Sequence, residues 1–170
     1  MTEDSPMRFR EPAALAWQSP VEVVCPRCGS RATVRENDVG YRLTCTRCPL
    51  AVDGGSERHV LVDGRLVVLQ WKHGAWHDPA VDRYVSVFRA REGEEPVFGL
   101  PLWLRTECCG GHLLWANNEE HLGYIESYVG ATLRESVGLS TVLPTWMKLA
   151  KNREDILRSL HRLRTTLAPG

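Results

Sequence analysis

From residue 21 the chain alternates apolar and polar positions in short runs bounded by turn formers, the signature of half-buried strands. "VEVVC" opens at Val21, "RATVRE" at Arg31 and "YRLTC" at Tyr41. The last two flank "NDVG", whose composition suits a tight reversal, and are predicted to form a hairpin. A second hairpin is predicted from "RHVLV" and "RLVVLQW" around Asp63-Gly64, because glycine accepts the positive φ that a two-residue connection demands. "RYVSVFRA" is a further strand, ended by the charged break "REGEEP". "PLWLRTECC" and "GHLLWA" form a last hairpin about Gly110-Gly111.

Beyond residue 116 the apolar period lengthens from two towards four. Leu122, Ile125, Val129 and Leu133 recur at helical spacing, and Asn117 with Glu120 has the form of a capping box, which predicts a helix over about 118–136. Pro144 suits the first turn of a short helix over "TWMKLAK". Asn152 with Asp155 predicts a new cap, followed by a helix that carries Ile156, Leu160, Leu163 and Leu167 on one stripe. The expected class is α+β, in four segments. These are an extended lead-in (1–20), a cysteine-rich strand region (21–54), a β-hairpin-rich middle (55–116) and a helical segment packed on it (117–170).

Composition changes this picture little. At 170 residues and 43% hydrophobic content the chain can bury a core, so wholesale disorder is excluded. Twenty-one basic residues offset 21 acidic ones, and any attraction to nucleic acid must therefore come from a local patch. The proline-broken start "MTEDSPMRFREP" has no signal-peptide pattern, and no apolar run reaches the roughly 18 residues of a membrane span; a cytoplasmic protein is expected, with no membrane partner. Within the lead-in, Phe9 and Trp17 are expected to drape over the fold.

The cysteines carry the clearest chemistry. Cys25 and Cys28 are two residues apart, as are Cys45 and Cys48, and 16 residues separate the pairs. In a reducing compartment this spacing points to a four-cysteine zinc site rather than disulfides. Each short turn aims two sulfurs at one ion, and the intervening hairpin returns the second pair opposite the first. Four thiolates close the coordination sphere, so the one Zn2+ is structural; iron is the alternative metal. Pro26, Gly29 and Pro49 beside the ligands suit knuckle turns. Apart from the two knuckles no internal repeat is evident.

"CPRCGSR…LTCTRC" resembles a zinc ribbon of the transcription factor IIB or elongation factor IIS type over residues 21–53, with Cys25, Cys28, Cys45 and Cys48 at the ligand positions. Such ribbons occur in transcription factors, polymerase subunits, primases, helicases and ribosomal proteins, so the resemblance implies a fold more than a task. The elongation factor's hairpin is longer and acts through an acidic tip. Here only Glu36 and Asp38 stand near that position, and the activity is not carried over. "PLWLRTECCGGHLLWANNEEHLGYIESYVGATLRE…LPTWMKLAKNREDILRSLHRLR" is similar to an uncharacterised bacterial family that joins a ribbon to a helical tail.

Other constellations have two readings each. Cys108 and Cys109, with His112 and His121 nearby, are a second metal site, a reactive thiol site, or packed and turn thiols. Lys148, Lys151, Arg158 and Arg162 make the tail the most basic region, with Arg158 and Arg162 one turn apart on the face opposite the leucine stripe: a phosphate-contacting surface or a solvated helix face. Arg27 and Arg47 hold equivalent places in the two knuckles and join the candidate partner-binding residues. Trp71, Trp103, Trp115 and Trp146 are expected in the core. No phosphate-binding glycine loop and no His-Glu-x-x-His run occurs. The expectation is a non-catalytic zinc-ribbon protein that binds nucleic acid or the transcription or replication machinery. The alternatives are a protein-interaction adaptor and, third, a cysteine-dependent enzyme.

Overall fold

Strand alternation is realised most cleanly where one face is apolar throughout. In the computed structural model, which describes residues 8–10, 19–38, 40–54, 57–62, 65–72, 75–85, 92–134 and 143–168, Val21, Val23, Ala32 and Val34 all turn to one buried face while their neighbours stay partly exposed. The chain divides into two compact units, one spanning 19–103 and the other combining 1–18 with 104–170. The cuts fall neither at 54 nor at 116, because the hairpin expected to close the β-rich middle packs its first strand against the last helix.

The 19–103 unit opens with an antiparallel sheet of four strands: β2 (Val21–Val24), β3 (Arg31–Asn37), β4 (Gly40–Cys45) and β5 (Ala51–Gly54), in that spatial order. The predicted hairpin is β3–β4, with Asn37 opposite Gly40. Strand β5 was not expected from its composition; it forms because Cys45–Leu50 reverses the chain and lays Val52 opposite Leu43. On the free edge of β2, Val24 N–H donates to the Pro101 carbonyl at 2.8 Å and Trp103 N–H to the Glu22 carbonyl at 2.9 Å, so residues 101–103 extend the sheet.

A second four-stranded antiparallel sheet follows: β6 (Glu57–Val62), β7 (Arg65–Lys72), β8 (Ala75–Asp78) and β9 (Arg83–Val85). Val62 faces Arg65 across the predicted second hairpin. The "RYVSVFRA" strand is seen over Arg83–Val85, its remainder lying outside the described residues, and β8 is an addition.

In the other unit, β10 (Leu104–Cys108) and β11 (His112–Ala116) form the expected hairpin, with Cys108 opposite His112. Helix α1 (Glu119–Gly130) is shorter than predicted. Its cap is Asn118, in extended geometry, whose Oδ1 accepts the His121 N–H at 3.0 Å; Asn117 instead donates its N–H to His121 Nδ1 at 3.2 Å. The helix stops at Gly130 because Leu133–Arg134, β12, pairs in parallel with Arg8–Phe9, β1. Leu133, read as the last residue of the apolar stripe, is 52% exposed in that strand. Phe9 does drape over the fold: it is 4% exposed and meets Tyr124 and Tyr128 edge-on. Trp17 lies outside the described residues.

Helix α2 (Thr145–Lys148) starts directly after Pro144, and a 3-10 turn over Ala150–Asn152 leads into α3 (Arg153–Thr165). Ile156, Leu160 and Leu163 are buried as the stripe predicts. Asn152 precedes the helix but makes no side-chain cap; its amide donates to the Trp146 carbonyl at 2.9 Å. Arg164 ties α3 to α1 through Glu126 at 2.7 Å. Trp103, Trp115 and Trp146 are half-buried rather than central, and the indole with 2% exposure is Trp76. Trp71's side chain lies outside the described residues. Among them no helix is long and apolar enough to cross a membrane.

Candidate metal centre

Two turns of one design bring the four cysteines together. Cys25 N–H donates to the Ser30 carbonyl at 2.8 Å and Gly29 N–H returns to the Cys25 carbonyl at 2.9 Å, with Gly29 at φ +71°, a region that favours glycine. The second turn is closed by Cys45 N–H on the Leu50 carbonyl at 3.0 Å. Strands β3 and β4 supply the reach: Ala32 pairs with Cys45, so the turn after β4 comes back level with the turn before β3.

The sulfurs of Cys25 and Cys48 are 3.7 Å apart and those of Cys28 and Cys45 3.6 Å. A tetrahedron of thiolates around zinc, with bonds near 2.3 Å, has an edge of about 3.8 Å. The geometry therefore fits one ion with all four positions filled by protein. Arg47 N–H also points at Cys45 Sγ, 3.4 Å away, a hydrogen bond that stabilises negative charge on the sulfur. Cys28 is lowered to about 6, chiefly by the Ser30 backbone, whereas desolvation pushes Cys48 up to about 12 with the neighbouring sulfurs acting in the same direction. Four adjacent thiols resist ionising together, and a divalent cation relieves that conflict.

A third turn copies the first without thiols. Glu95 N–H donates to the Leu100 carbonyl at 2.8 Å and Gly99 N–H to the Glu95 carbonyl at 3.0 Å, with Gly99 at φ +66°. Glu95 stands where Cys25 stands and Phe98 where Cys28 stands; proline and glycine follow at the same offsets. The Glu95 carboxylate, 2% exposed, accepts the Val97 and Phe98 N–H groups at 2.6 and 2.7 Å, and so takes over the role of a sulfur in a knuckle. Phe98 packs its ring on Gly54, where any Cβ would overlap it. Two repeats are expected from the sequence and three are seen among the described residues; the signal is the shared pattern x-Pro-x-x-Gly at Cys25–Gly29 and Glu95–Gly99, obscured by the change of the ligand residues.

The second cysteine group is assembled differently from its sequence-based reading. Sulfurs of Cys108 and Cys109 and a carboxylate oxygen of Asp155 all lie within 4.8 Å of one another. The histidines go elsewhere: His112 stacks on Trp146 at 4.9 Å, and His121 is buried in the first turn of α1. Burial lowers His121 to about 4, keeping its Nδ1 an acceptor. Asp155, expected to cap α3, instead accepts the Cys109 N–H at 2.7 Å, and its carboxyl is held below the usual range first by that bond. Desolvation raises both thiols, Cys108 to about 12. An activated nucleophile needs the opposite shift.

The basic candidates are partly committed. Arg158 is exposed and 3.7 Å from Asp155, and Arg162 is exposed with a bond to Ser159; they share a face, as the spacing predicts. Lys151 is exposed and Lys148 half-buried. Arg27 and Arg47 are exposed on the two knuckles, with no ion pair among the described residues. Comparison with protein-family models, curated proteins and solved structures returns no match.

Proposed function

We propose that the chain is a non-catalytic binding protein in which one structural zinc ion orders a ribbon. Arg27 and Arg47 on its knuckles, with Arg158 and Arg162 of α3, contact nucleic acid or a component of the transcription or replication machinery. The observation that carries the reading is the pairing of a closed four-sulfur geometry, with sulfur edges of 3.6 and 3.7 Å, with an exposed guanidinium on each turn that forms it. A closed site offers no position for substrate, so the ion serves shape. Rigid turns that hold arginines in fixed places suit phosphate recognition.

The test is binding to labelled single- and double-stranded oligonucleotides across salt. The affinity is expected to fall steeply between about 50 and 200 mM salt, and Arg27→Ala/Arg47→Ala to weaken it and reduce the logarithmic salt slope by roughly two. An adaptor that binds another protein is the second reading, favoured by Leu66 and Tyr84, exposed at 65% and 53%. Absence of nucleic-acid binding, together with a nuclease-resistant and salt-insensitive complex in a pull-down, selects the adaptor and rejects the first reading.

A further inference from the structure

The tip of the β10–β11 hairpin has an unusual backbone. Cys109, Gly110 and Gly111 take φ values of +53°, +83° and +97° in succession. Glycine enters that region without cost, whereas the Cβ of a cysteine makes it disfavoured there. A glycine or asparagine at 109 would make the same turn more easily. What the cysteine adds is a sulfur beside that of Cys108, both facing Asp155 in the first turn of α3.

We propose that Cys108, Cys109 and Asp155 form a second metal site, open in character, for a thiophilic divalent cation of the zinc class. The donor set is two sulfurs and one carboxylate oxygen, already within 4.8 Å of each other. The ligands come from the end of a strand, the turn after it and a helix 46 residues further on, so the site exists only in the folded unit. The carboxylate is oriented by the Cys109 N–H at 2.7 Å, as metal-ligating carboxylates are commonly held by a hydrogen bond. Binding replaces two thiol protons: the cation forms two metal–sulfur bonds and one metal–oxygen bond, and two protons leave to solvent. Three protein ligands leave a fourth position for water or an exogenous donor, in contrast to the four-sulfur site. Half-buried Cys109 and exposed Gly110 and Gly111 give the ion a route in.

The two sites are in different units, so the proposal stands apart from the ribbon's function. Reduced full-length protein is dialysed anaerobically against buffered Zn2+ and its metal content measured. Two equivalents are expected for the wild type and one for Cys108→Ser/Cys109→Ser. Asp155→Asn keeps an acceptor for the Cys109 N–H and so preserves the fold; it should weaken only the second equivalent, by about tenfold or more. Substituting Co2+ at the second site should add sulfur-to-metal charge-transfer absorption that the double variant lacks. A wild type that stops at one equivalent, or a second equivalent that survives in the double variant, overturns the proposal.

Discussion

Glu95 shows what a knuckle requires once the metal is taken away. A thiolate in such a turn is held by backbone N–H groups and by the ion; the Glu95 carboxylate accepts two backbone N–H groups, at 2.6 and 2.7 Å, in a site with 2% exposure. Its two oxygens, one on each amide, organise the turn around a negative centre as a ligating sulfur does. Gln at this position would turn an NH2 group towards a backbone N–H. Glu95→Gln should therefore lower stability by about 1–3 kcal/mol, read from the urea midpoint, with metal content unchanged. A variant as stable as the wild type would show that the carboxylate does not hold the turn. Neither Glu95 nor Asp155 is legible from the sequence as a site residue: Glu95 lies within the charged break "REGEEP", which looks like solvent-facing surface, and Asp155 reads as part of a helix cap. What distinguishes them is the backbone they hold, the Val97 and Phe98 N–H groups for Glu95 and the Cys109 N–H for Asp155.

Helix α1 illustrates how a correct period can give a wrong boundary. Leu122, Ile125 and Val129 are buried as read, yet the helix ends at Gly130, before it reaches Leu133, since residues 133–134 gain a parallel partner in Arg8–Phe9. Periodicity is local and cannot register a competing strand from the far end of the chain. Its start was misplaced by one residue for a related reason: Asn117 and Asn118 have equal capping chemistry, and the choice depends on His121. That ring accepts the Asn117 N–H through Nδ1 and is lowered to about 4 by burial. Between pH 6.5 and 4 the unfolded chain therefore binds more protons than the folded one, and stability is full above 6.5 and lost as pH falls towards 4. The loss reaches about 3 kcal/mol. It is measurable as falling protection of α1 amides in native-state hydrogen exchange, and His121→Gln, which keeps an acceptor without the ionisable ring, should flatten the profile.

The two units rely on different sources of stability. In the helical unit Leu104, Leu114, Leu122, Ile125, Ile156 and Leu160 are all at or below 1% exposure, a core closed by apolar contact. The cysteine-bearing sheet buries mostly smaller side chains, Val21, Val23, Ala32 and Val34 with Leu43, and on the function proposed above a structural zinc would add about 10 kcal/mol or more to it. A strong chelator is expected to abolish the amide protection of β3 and β4 while α1 and α3 keep theirs. Hydrogen exchange followed by mass spectrometry reads both at once, and simultaneous loss in α1 would contradict the division of labour.

The amino-acid sequence by itself determined what depends on neighbours in the chain: the α+β class, the hairpins at 37–40 and 110–111, the stripe of α3, and the four cysteines as one ligand set. Turn chemistry and side-chain period act over a few residues, so they can be read without a fold. Only the tertiary structure decided the joining of Asp155 to Cys109, the third knuckle's docking on β2, and the diversion of His112 and His121 away from the adjacent cysteines. Each of these is a choice among chemically equivalent partners distant in sequence, settled by which arrangement buries apolar surface and leaves the fewest polar groups unpaired.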